Sequence, residues 1–120
     1  LRGQLAPEAL RVKQSPAAAE QFERDKLAGK ALLAAGKFDE AAKKLGPLAK
    51  RMPDDLEVNY WLAQSLRQHG DLAKAEKTTQ WLLDMRPDFA GGLWEAALLR
   101  EQFRDLDGAV ELLNQVYHRT

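Results

Sequence analysis

This sequence predicts an all-α fold: three tandem helix-turn-helix repeats stacked side by side. The first observation behind it is self-similarity, because the chain shifted by 34 residues lands on itself. Gly36 falls on Gly70, and Gly29 falls on Ala63 and then Ala97. Phe38 falls on Leu72 and Leu106, Ala41 on Ala75 and Ala109, and Leu48 on Leu82 and Val116. Pro53 and Pro87 stand one period apart. Similarity at one fixed period of this size marks a stacked repeat protein. The second observation is the i, i+3/i+4 spacing of apolar residues within each unit, the mark of an amphipathic helix. The boundaries that follow are an N-terminal linker with the start of the first helix over 1–21, and repeats over 22–53, 54–87 and 88–120. The third repeat is degenerate and truncated.

Residues 1–14 read as a linker with one short helical turn at Pro7-Glu8-Ala9-Leu10. Ser15-Pro16 is a stronger start signal, with serine as N-cap and proline at the first helical position. The first helix then runs from Ala17 to Ala35. Its expected apolar stripe is Phe22, Leu27, Ala28, Ala31, Leu32 and Ala35. The second helix, Phe38–Arg51, contains Gly46-Pro47. An interior proline removes a hydrogen bond and clashes with the preceding turn, at ~3 kcal/mol, so a kink or two short helices are expected there.

Asp54-Asp55 stand where a helix begins, and acids at that position serve as caps. The third helix is Leu56–Gln68, with Val58, Leu62, Ala63 and Leu66 as its buried stripe. A turn at His69-Gly70-Asp71 leads to the fourth, Leu72–Met85, which buries Ala75, Leu82 and Leu83. Trp61 and Trp81 are expected to pack between hairpins. Repeat three departs from the pattern: Arg104 stands where Gly36 and Gly70 stand, and Arg100 where Leu32 and Leu66 stand. Gly91-Gly92 opens its first helix at ~1 kcal/mol per glycine relative to alanine. The stripe continues through Leu93, Ala96, Ala97, Leu99 and Phe103. The last helix, Leu106–His118, exposes Leu112, Leu113, Val116 and Tyr117, an apolar face that must meet further sequence, a second copy or solvent. Thr120 falls opposite Arg86, one residue short of a closing proline, so the expectation is a piece of a longer protein or array.

The chain has 120 residues, enough for one domain, with 45% hydrophobic and 30% charged residues. It has no apolar run near the ~20 residues that a membrane-spanning helix needs, so no membrane insertion is expected. No signal peptide is visible. Cysteine is absent, which excludes disulfides, thiolate zinc sites and a cysteine nucleophile but does not fix the compartment, cytoplasmic or periplasmic. The net charge is zero but unevenly spread: residues 1–21 carry +1, 22–53 carry +4, 54–87 carry −2 and 88–120 carry −3. Either these are solvated helix faces, or they form a field that orients an acidic ligand at the first repeat or favours head-to-tail contact.

No catalytic constellation is present. The two histidines, His69 and His118, are far apart in sequence and lack a second ligand at helical spacing, so no metal and no cofactor are expected. Gly91-Gly92 follows no strand and is no phosphate loop. A repeat protein that reads RNA needs a basic surface in every repeat, and only the first is basic here, so nucleic acid is not the expected partner.

The period, the small residues at 29/63/97 and 41/75/109 and the prolines at 53 and 87 resemble the tetratricopeptide repeat family, over about Phe22–Thr120. That resemblance implies a short right-handed α-superhelix. It also implies a non-catalytic role: binding a protein or peptide in a concave groove lined by the first helix of each repeat, or scaffolding an assembly. The groove positions that correspond are Lys26, Tyr60 and Trp94, then Lys30, Gln64 and Leu98, then Leu33, Arg67 and Glu101, with Glu23, Glu57 and Gly91 at the entrance. The binding set read from them is Lys26, Lys30, Tyr60, Gln64, Arg67, Trp94 and Leu98. Tyr60 and Trp94 are of the type enriched at hot spots, and Lys26 with Lys30 could receive a carboxylate. The family's carboxylate clamp of Lys, Asn and Arg is matched only at Lys26. The alternatives are an oligomerisation module acting through Leu112, Leu113, Val116 and Tyr117, or a regulatory or targeting domain of a larger enzyme.

Overall fold

A computed structural model describes residues 15–117. The expected turn at Pro7–Leu10 and the position of His118 lie outside these residues. The described chain is helical throughout: α1 (Pro16–Ala34), α2 (Phe38–Arg51), α3 (Leu56–His69), α4 (Leu72–Met85), α5 (Ala90–Gln102) and α6 (Leu106–Tyr117). Consecutive helices pair into three hairpins, α1/α2, α3/α4 and α5/α6.

The three hairpin turns are one motif used three times. In the first, the Lys37 N–H donates to the Leu32 carbonyl at 2.9 Å and the Gly36 N–H to Leu33 at 3.0 Å. In the second, Asp71 donates to Leu66 and Gly70 to Arg67; in the third, Asp105 donates to Arg100 and Arg104 to Glu101. This is the Schellman arrangement, which requires a left-handed residue just past the helix. Gly36 and Gly70 supply it with φ of 79° and 97°, and Arg104 with φ of 64°. The 34-residue register therefore runs through the third repeat unbroken, although arginine stands where glycine is favoured.

Helix starts follow their caps. The Ser15 hydroxyl accepts from the Ala18 N–H at 3.3 Å, and the Asp55 carboxylate from Val58 at 3.0 Å. Asp105 accepts from Gly108 at 3.0 Å. Of the two expected outcomes at Gly46-Pro47, a split into two short helices does not occur: one helix runs through it. Pro47 lies on the exposed side, so its ring and the missing hydrogen bond face water rather than a neighbouring helix.

The core lies between the two helix layers and carries Leu45, Leu48, Val58, Leu62, Leu66, Ala75 and Leu99. The crossing positions are tight. A Cβ on Gly29 would lie 2.5 Å from Leu45 Cδ2. Several residues expected to be covered are exposed. Leu27 is 58% exposed, and Ala31 and Ala35 are exposed too. One period on from Leu27 stand Trp61 and Glu95, each of which touches the preceding first helix; no described element precedes α1. Trp81 is 44% exposed, at the outer position that Pro47 occupies one period earlier. Phe103 is 43% exposed, because α5 ends at Gln102 and this residue sits at the hairpin tip, as Ala35 and His69 do.

Candidate partner-binding surface

The first helices pack on one another, α1 on α3 and α3 on α5. The second helices α2 and α4 are instead separated, each packed on the first helix that follows it. An array whose first helices are close and whose second helices are splayed curves with the first helices inside. The sequence-derived binding residues all lie on that inner layer, but they divide into two kinds.

Two of them are already engaged. Lys26 is buried, and its Nζ meets Asp55 at 3.1 Å and Glu57 at 3.0 Å. Burial pushes the Lys26 pKa down, but hydrogen bonds and charge from Glu57 and Asp55 outweigh it and leave the value raised. Arg67 Nε donates to Glu95 Oε2 at 2.6 Å and its terminal nitrogen to Oε1 at 3.3 Å. Glu95 is 2% exposed. These pairs join α1 to α3 and α3 to α5, so their charges are answered inside the protein. Sequence reading missed Glu95. The signal available was a single acid in the apolar run Leu93-Trp94-Glu95-Ala96-Ala97.

The others are exposed or half-buried. Lys30 is exposed, makes no ion pair among the described residues, and holds its Nζ 5.2 Å from the centroid of the Trp61 ring. Gln64 and Leu98 are half-buried, and Trp94 is 41% exposed. Tyr60 is half-buried and meets Phe89 edge-on, with ring centroids 5.2 Å apart. Its ring also abuts the start of α5, where a Cβ on Gly91 would lie 2.9 Å from Tyr60 Cζ. Gly91 thus allows a close approach that any side chain would block. Trp94 follows one turn further along α5 from Gly91.

Arg100 pairs with Glu76 and stacks its guanidinium 5.3 Å from the Phe103 ring centroid, which accounts for a charged residue at a position that is apolar in the other repeats. On α6 the exposed apolar residues are Leu106, Val110 and Tyr117, alongside Phe103 at the preceding tip. Leu112, Leu113 and Val116 are half-buried, because they turn back toward α5. No helix among the described residues is long and apolar enough to cross a membrane.

No curated protein matches the sequence. Solved structures match the fold. A MamA RS-1 double mutant superposes with a TM-score of 0.74 at 20% identity, over 81% of this chain and 55% of that one. PcrH in complex with the chaperone binding region of PopB gives 0.72 at 24%, over 81% and 78%. The TPR2AB domain of yeast Sti1 in its pHSP90 complex gives 0.73 at 20%, over 95% and 46%. This chain spans about half the length of the MamA and Sti1 chains. The tetratricopeptide repeat model matches residues 26–79 and 65–120. With two overlapping matches from Lys26 to the last residue and an all-helical architecture of the same superhelical kind, this chain belongs to the tetratricopeptide repeat family.

Proposed function

We propose that the chain is a non-catalytic module that holds a peptide segment of a protein partner against its inner layer of first helices. The observation that carries this reading is Trp94, a large apolar ring left 41% exposed one helical turn from half-buried Leu98. An exposed tryptophan in a pre-formed apolar setting is the kind of residue that dominates interface energetics. Lys30, exposed and without an ion pair among the described residues, supplies a positive charge at the α1 end of the same surface, and a carboxylate of the partner would find it there rather than at Lys26. The solved complexes of PcrH with a PopB region and of Sti1 with pHSP90 are of proteins that hold peptide partners on the same fold, which supports the class of function and not a particular ligand.

The test is capture of a partner by wild type compared with a Trp94→Ala, Leu98→Ser variant. Tyr60 is left alone, because its contacts with Phe89 and Gly91 make it structural as well. The expected result is loss of capture with an unchanged unfolding midpoint. Equal capture by both proteins would overturn the reading.

A further inference from the structure

The opposite side of the array carries a second surface. Between α2 and α4 lies an open trough of about 790 Å³. Leu62 and Leu66 of α3 form its floor. We propose that this trough docks a short acidic peptide segment with an apolar anchor residue, independently of the inner layer.

Charge is the first argument. Lys43 and Lys50 of α2 and Lys74 and Lys77 of α4 line the two walls, and all four are exposed. The acids among them are Asp39, 3.0 Å from Lys43, and Asp71, 3.8 Å from Lys74. Lys50 and Lys77 make no ion pair among the described residues. Exposed pairs of the first kind are worth little, so they exchange readily for a ligand carboxylate. The lining is thus apolar below and net positive above.

Pre-organisation is the second. Trp81 stands at one end of the trough, half exposed yet fixed, because its indole N–H donates to the Pro53 carbonyl at 2.7 Å. That carbonyl also accepts from the Asn59 side chain at 3.0 Å, which ties the wall to the loop between the first two hairpins. A ring that is held in place loses little freedom on binding.

The third argument is Gly46-Pro47, which lines the trough midway along α2. Both residues are unfavourable inside a helix. A Cβ on Gly46 would meet nothing within 4 Å beyond its chain neighbours, and the missing Cβ also eases the clash that Pro47 makes with a helical residue before it. The glycine leaves the trough wall without a side chain. From Asp39 to Lys50 the wall runs roughly 16 Å at 1.5 Å per residue, the length of about five residues of extended chain.

The experiment is an amide and indole NMR titration with a nine-residue synthetic peptide bearing a central Leu-Phe pair between glutamates. The Gly46 amide and the Trp81 indole signals should move, while the Trp94 indole on the inner layer stays. Gly46→Leu should abolish the shifts by filling the trough, with the protein still folded by its amide spectrum. Lys50→Glu with Lys77→Glu should weaken binding at least tenfold. Undiminished binding to either variant would overturn the proposal, as would equal binding of a peptide with lysines in place of glutamates. So would movement of Trp94 instead of Trp81, or no shift at millimolar peptide. Shifts at Gly46 and Trp81 that depend on protein concentration without peptide would show a second copy as the occupant and overturn the partner assignment.

Discussion

Glu95 holds Arg67 through two hydrogen bonds, of 2.6 and 3.3 Å, from a position that is 2% exposed. The pair connects α3 to α5 beneath the inner surface. Removing one partner of a buried pair leaves an uncompensated charge, at about 3–5 kcal/mol, whereas replacing both by apolar residues can be neutral or stabilising. Glu95→Ala should therefore lower the unfolding free energy by about 3 kcal/mol. Arg67→Met with Glu95→Leu should recover most of that loss. Urea unfolding of the three proteins checks both; a double variant no better than the single one would show that the pair itself holds the helices in register.

Lys26 ties α1 to the start of α3, and its raised pKa makes the tie pH-dependent. A lysine whose folded pKa lies above its unfolded value contributes stability that is complete below the unfolded value and is lost as pH rises through the folded one. The window is thus alkaline, beginning above about pH 10. Between neutral pH and that point, the stability difference between wild type and Lys26→Met should be constant, and it should shrink beyond it. Denaturant midpoints measured across this range test the sign directly.

The architecture was readable because it repeats. A 34-residue period fixes turns, crossings and core positions three times over, and even Arg104 obeys it. The errors arose where helical spacing was used without the period. Leu27 and Phe103 fall on plausible i+3/i+4 stripes, but they occupy an uncovered edge and a hairpin tip. The site was less legible. The period names inner-layer positions without saying which charges are already neutralised, and Lys26 and Arg67 find their partners 29 and 28 residues away, in the next repeat. No local pattern announces such pairs, and the trough between α2 and α4 exists only once two hairpins are stacked.

The crossing residues trade volume. Gly29 faces fully buried Leu45; one period on, the corresponding residues are Ala63 and Thr79. Gly29→Ala gains about 1 kcal/mol of helix propensity, but the added methyl would lie 2.5 Å from Leu45 Cδ2. Leu45 has no exposed side to retreat to, and overpacking costs about 1–3 kcal/mol. The variant should be less stable than wild type. In a Leu45→Thr background the same substitution should stabilise. Thermal unfolding of the four-protein cycle gives the coupling; additivity would mean that the two residues do not meet.

Arg104 is the only non-glycine residue with positive φ among those described, at 64°. It occupies the left-handed position of the third turn, where Gly36 and Gly70 serve the other two. The left-handed conformation costs an L-residue roughly 1–2 kcal/mol, and part of any gain from glycine is offset by the greater freedom of the unfolded chain. Arg104→Gly should therefore stabilise the protein by about 0.5–1 kcal/mol. Gly70→Arg should destabilise it by a similar or larger amount, because the second turn lies in the middle of the array. The arginine is exposed and makes no ion pair among the described residues, so its loss breaks no salt bridge that would mask the backbone effect. Chemical denaturation of both variants measures the two sides of one exchange. A destabilised Arg104→Gly would mean that the third turn does not hold the same conformation as the first two.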